Sequence, residues 1–135
     1  MKPRLFPFVS TALLKSAPAI IVIAFASGVT QAANRFWDLN GTAAGLGAGT
    51  GSWDLLTLNW NTATAGTAAT VAFVNGDDAF FQTANINTVG LPSNLTANSI
   101  TQTTNVTATT VSGAGTITLT TGNLTNTGNQ PFIIN

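Results

Sequence analysis

The chain has 135 residues, 44% of them hydrophobic, with only four basic and four acidic side chains and neither His nor Cys. That length suits about one domain, and without imidazole or thiol it has no Ser-His-Asp or Cys-His nucleophile system, no disulfide, and none of the metal sites those ligands build. The formal net charge is zero and no basic patch offers phosphate contacts, which argues against nucleic acid as a partner.

Lys2, Arg4 and Lys15 precede a short apolar run, Ala17 to Ala26, and Ser27 to Ala32 follows with small residues at Thr30 and Ala32. A positive start, an apolar middle and a small-residue exit have the layout of a secretory signal peptide. Residues 1–32 are therefore predicted to be a signal helix cleaved near Ala32 or Ala33, and residues 33–135 the exported part. The apolar run falls short of the roughly 20 residues a membrane-spanning helix needs, and Lys15 interrupts its extension through Leu13 and Leu14, which argues against an uncleaved anchor. After the signal, Arg35 stands alone against Asp38, Asp54, Asp77 and Asp78, so this part is slightly acidic.

Asn34 to Leu58 opens the exported part with Trp and Gly. Arg35 to Leu39 reads as a short strand into an Asn40-Gly41 turn, Thr42 to Gly51 as a Gly/Ala loop, and Ser52 to Trp60 as a second strand-like run. Trp37-Asp38 and Trp53-Asp54 suggest a duplicated unit. Thr70 to Val74 alternates as a half-buried strand, Asn75-Gly76 is a strong turn signal, and Ala79 to Thr83 is predicted to return as the other arm of a hairpin. From Asn85 onward short β segments follow one another: 86–89, 95–101, 105–111, 116–121, 123–127 and 132–134. Gly, Asn or Pro turns punctuate most of them. Single apolar residues sit among Thr and Asn, and no helical stripe occurs.

Thr favours strands through its branched Cβ, while Asn and Gly accept turn geometries. A sandwich needs more apolar residues per strand than these segments carry, because two faces must fill one core. A stack of short coils needs only one or two inward side chains per strand. The predicted fold is therefore all-β: a right-handed parallel β-helix (solenoid) over residues 33–135, preceded by the signal-peptide helix, with the apolar Phe132-Ile133-Ile134 ending suggesting an incomplete N-terminal part of a longer product.

Phe36-Trp37-Asp38, Gly49-Thr50-Gly51-Ser52-Trp53-Asp54, Leu58-Asn59-Trp60-Asn61, Asp78-Ala79-Phe80-Phe81 and Val111 to Leu119 together resemble the passenger region of bacterial autotransporters that carry the autotransporter-associated β-strand repeat. The resemblance covers about Phe36 to Thr121. It implies a right-handed parallel β-helix displayed at the surface of a Gram-negative cell, joined to the outer membrane through a C-terminal β-barrel that is absent from this chain.

The four aspartates are the only carboxylate side chains. Asp77-Asp78 reads as a solvated turn rather than a calcium loop or an acid–base pair, since calcium takes more oxygen ligands and strand neighbours point to opposite faces. Asp38 and Asp54 read as turn or cap residues, with a glycosidase-like carboxylate pair as the sharper alternative. Trp37, Trp53 and Trp60 read as core or end-cap residues, with a sugar-stacking platform as the alternative. No nucleophile has a visible base and no phosphate-cradling loop is present. Four Asn-x-Thr sequons, beginning at Asn40, Asn94, Asn105 and Asn123, follow from composition.

The expected function is a non-enzymatic structural or adhesive module, secreted or displayed at the cell surface, without catalytic, cofactor or metal site. Its expected partners are host-surface or glycan ligands. The alternative is a secreted carbohydrate-binding or polysaccharide-degrading β-helix protein.

Overall fold

Thr, Val, Ile and Phe segments broken by Gly and Asn turns form strands throughout residues 31–103 and 107–135, the parts described by the structure, a computed structural model. The signal segment up to residue 30 and part of the predicted 105–111 strand lie outside the described residues. In chain order the strands are β1 (Asn34–Trp37), β2 (Gly51–Ser52), β3 (Trp60–Asn61), β4 (Asp78–Phe81), β5 (Thr88–Gly90), β6 (Leu95–Gln102), β7 (Thr109–Ser112), β8 (Ile117–Asn126) and β9 (Phe132–Ile134). No helix occurs among the described residues.

Two sheets result, one of five strands in the order β3-β1-β4-β6-β8 and one of four in the order β2-β5-β7-β9. From β4 onward the chain alternates between them, and each strand pairs in parallel with the strand two places further on. Leu95 lies beside Ile117 and Val89 beside Val111, 22 positions apart in both cases. Parallel register puts like beside like, so inward columns form: Ala79–Ile100–Leu124 in one sheet and Val89–Val111–Ile134 in the other. Polar columns stitch the layers from outside. The Asn75 and Asn94 side-chain oxygens accept the Thr96 and Thr116 backbone N–H at 2.7 and 3.0 Å.

The predicted right-handed parallel β-helix over 33–135 is corrected by this topology. The larger sheet is mixed: β1 runs antiparallel to β3, with Phe36 opposite Asn61 and Trp37 opposite Trp60, and Trp60 bridges Val71 antiparallel as well. The interior is also dense rather than sparse. Trp37, Trp53, Trp60, Phe73 and Phe81 are all buried, with ring centroids 5.0–5.8 Å apart in the touching pairs. The physical reason is ring volume. Directly opposed antiparallel residues lie close enough for their side chains to touch, and Trp37 and Trp60 use this to meet edge to face at 5.2 Å.

Several element boundaries move for local reasons. The predicted 52–60 run is divided, because Asp54 bends its middle into a turn described below. The predicted hairpin between 70–74 and 79–83 does not form: only Val71 bridges, and β4 lies parallel between β1 and β6. The segments 116–121 and 123–127 fuse into β8. The Gly122-Asn123 turn signal becomes a bulge instead, with Gly122 at φ 70°, as the register moves from Ala97–Leu119 to Ser99–Asn123.

The connections between sheets run backbone on backbone. A Cβ built on Gly115 would lie 2.2 Å from the Ser93 carbonyl oxygen, so neighbouring turns stack closely only because this position lacks a side chain.

Two stability outcomes follow. Gly115→Ala is expected to lower stability by about 1–3 kcal/mol, as overpacking against a backbone does. Trp60→Ala is expected to cost about 3–5 kcal/mol. Equilibrium urea unfolding followed by Trp fluorescence measures the first, and far-UV circular dichroism the second.

Candidate functional site

The ionisable side chains and the tryptophans were the sequence's only chemical candidates, and the structure separates them into distinct settings. Asp38 follows β1 into the interior and is fully buried. Its carboxylate accepts the backbone N–H of Asn40 at 3.1 Å and of Gly47 at 2.7 Å, and the Asn61 side-chain amide at 2.8 Å. It therefore closes the 40–47 loop onto β3, which is the cap role read from the sequence. A buried carboxylate with three donors is stabilised in place by hydrogen bonding.

Asp54 sits in a different environment. It accepts the backbone N–H of Leu56 and Thr57 at 2.8 and 2.6 Å, and the hydroxyls of Thr57 and Ser52, both at 2.8 Å. Acceptance from the second and third following N–H is the geometry of a helix N-cap, here without a helix. Partial burial works to raise its pKa, but the donors from Thr57, Leu56 and Ser52 outweigh it and hold the carboxyl at about 2, below its ordinary 3.8. The two Trp-Asp pairs do not occupy equivalent positions: Trp37 ends a strand of the larger sheet, while Trp53 follows a strand of the smaller one.

Asp77 corrects the reading of a solvated turn. It is largely buried and pairs with Arg35 Nε at 2.6 Å, while also accepting the Ala33 backbone N–H at 3.1 Å. Arg35 is the one basic residue after the signal segment. It ties β1 to the turn before β4. Asp78 begins β4 and accepts from Asn98 and Ser99 of β6. No group of three or more His, Cys, Asp or Glu side chains assembles among the described residues.

Trp37, Trp53 and Trp60 are each 0% exposed, so no face of these rings is open to a sugar. They are core residues. Their indole N–H groups have no hydrogen-bond acceptor among the described residues. Surrounded by aromatic rings, such donors have π faces as their remaining weak acceptors.

The surface feature that strand patterning missed is the loop over Asp54. Leu55, Leu56 and Leu58 project into solvent, Leu56 with 87% of its surface exposed. The alternating apolar residues read as a strand, yet Asp54 is a residue type that bonds its own following backbone, and this turn bends them outward. The loop joins the outermost strands β2 and β3, so it crosses the end of the molecule filled by the aromatic cluster, with Trp53 inside it and the leucines outside.

No protein-family model matches the chain, and searches of curated proteins and of solved structures give no match.

The depressed Asp54 carboxyl makes stability pH-dependent with a definite sign. A lowered folded-state pKa adds stability that is present above the unfolded value of 3.8 and lost as pH falls through about 2. Wild type is expected to exceed Asp54→Asn in thermal midpoint at pH 6, with the gap closing between pH 4 and 2. Thermal melts of both proteins across that range measure it.

Proposed function

We propose that the chain is a non-catalytic, exported structural and adhesive module, and that its contact element is the Leu55–Leu58 loop. The observation carrying this reading is an apolar loop held in one shape by four hydrogen bonds to a single carboxylate. Exposed apolar side chains on a fixed turn lose little conformational entropy when they meet a surface. The carboxylates add support, since Asp38, Asp54, Asp77 and Asp78 are all engaged in holding loops and strands together. The signal-like segment at 1–32 supports export. The Thr/Asn-rich, nearly uncharged exterior suits a scaffold that presents one apolar contact without electrostatic selectivity.

The test is adhesion of beads coated with the protein to alkyl-terminated and hydroxyl-terminated monolayers. Wild type is expected to prefer the alkyl surface. Leu56→Asn should lose that preference, because removing one leucine contact costs about 1.5–3 kcal/mol. Its thermal midpoint should stay unchanged, since the side chain packs on nothing. Equal adhesion of wild type and Leu56→Asn would remove the loop from the mechanism, and strong glycan-array binding retained by Leu56→Asn would replace the reading altogether.

A further inference from the structure

The approach to β1 runs over the surface: Ala33 is exposed and Ala32 half-buried. Two hydrogen bonds nevertheless fix Ala33 in place. Its N–H donates to Asp77 Oδ1 at 3.1 Å, and its carbonyl accepts the Asp78 N–H at 2.9 Å. The second bond extends the parallel pairing of β1 with β4, whereas the first belongs to no ladder. The carboxylate that receives it is buried, with Arg35 Nε on its other oxygen at 2.6 Å.

The charges around this point are unequal. Asp77 and Asp78 are adjacent carboxylates, and Arg35 is the one basic side chain after the signal segment. Asp78 stands beside Asn34 and takes its side-chain partners from the neutral Asn98 and Ser99. A second positive charge would balance the pair, and the atom placed to carry it is Ala33 N.

We infer that the signal segment is cut between Ala32 and Ala33, and that the α-ammonium released at Ala33 docks on Asp77, so that its removal tightens the entry to β1. A signal-cleaving peptidase adds water across the peptide bond. The water oxygen goes to the Ala32 carbonyl carbon, which departs with the signal segment as a carboxylate. The Ala33 nitrogen keeps the electron pair of the broken bond and is protonated. An amide N–H on Asp77 thereby becomes an ammonium at the same position. This adds Coulomb attraction to a hydrogen bond already made, at a carboxylate largely shielded from water.

The sequence offers two cut sites, after Ala32 or after Ala33, and two observations choose the first. Cutting after Ala32 puts Thr30 and Ala32 at the small-residue positions, whereas cutting after Ala33 puts Gln31 at one of them. Cutting after Ala33 would also remove both bonds that tie the approach to β1 onto residues 77 and 78. The inference rests on the export reading, since it needs the signal segment to be removed.

The test expresses the full chain, with its own signal segment, in an exporting bacterial host. The exported product is expected to have the intact mass of residues 33–135. Lys2 and Lys15 are the only lysines, so the Ala33 α-amine is then the one primary amine in the product and can be acetylated by itself. Acylation consumes the unprotonated amine, and a carboxylate partner favours the ammonium. Folded wild type should therefore be acetylated at least about tenfold more slowly than folded Asp77→Asn. Acetylation keeps one N–H but removes the charge. It should lower the thermal midpoint of wild type by about 4–8 °C at this chain length, and leave that of Asp77→Asn unchanged. A product that begins at any residue other than Ala33, or a wild type whose midpoint acetylation does not move, overturns the inference and leaves export standing. A chain that keeps its signal segment overturns the export reading together with the inference. Should Asp77→Asn not fold, the acetylated and free forms of wild type decide the matter alone.

Discussion

The packing of Trp37, Trp53, Trp60, Phe73 and Phe81 against one another is the constraint on which the remaining structure rests. Parallel layers of short strands have no intrinsic end. Their first layer would expose its inward side chains as readily as their last. Here five rings fill that end, and the antiparallel β1–β3 pair holds two of them face to edge. Large rings bury much area for each residue ordered, and ring pairs add about 0.5–1.5 kcal/mol beyond area. A chain without disulfides or metal-binding His and Cys concentrates its apolar burial there instead.

Three of the four carboxylates hold the loops and turns next to β1, β2 and β3. Asp38 closes the 40–47 loop over the cluster, Asp77 with Arg35 joins β1 to the turn before β4, and Asp54 shapes the loop that carries Trp53 inward and three leucines outward. After Asp78 the chain has no charge and needs none. Register does the organising, as Asn and Thr columns link each layer to the next and small inward aliphatics stack on their equivalents. The charged side chains thus all fall at or before the start of β4, and β5 to β9 carry none.

The β character of the chain was legible in part. The segments 79–83, 95–101, 116–121 and 132–134 fall on strands, whereas 70–74 keeps only the Val71 bridge and 52–60 is broken by a turn; the Asn75-Gly76 turn formed, and the three tryptophans read as core are core. What the sequence carried less visibly was the spacing of the layers, 21 to 24 residues from β4 onward. It is written in positions such as Leu95–Ile117 and Val89–Val111, but the identities at matched positions vary, and only backbone pairing makes them equivalent. Asp54 shows the same limit on a smaller scale. Alternating apolar residues and a capping aspartate compete over residues 54–58, and four hydrogen bonds to one carboxylate decide the outcome in favour of a turn.

Composition by itself therefore determined strand content, the want of imidazole and thiol chemistry, and the burial of the large rings, because these depend on local propensity and on side-chain chemistry. Strand partners and their directions were decided by the tertiary structure. An antiparallel β3 beside β1, a parallel β4 beside β1 in place of the expected hairpin at 70–83, and the pairing of Arg35 with Asp77 all join residues distant in sequence. Such contacts form only where packed volume and register bring both partners together, and a linear pattern contains neither.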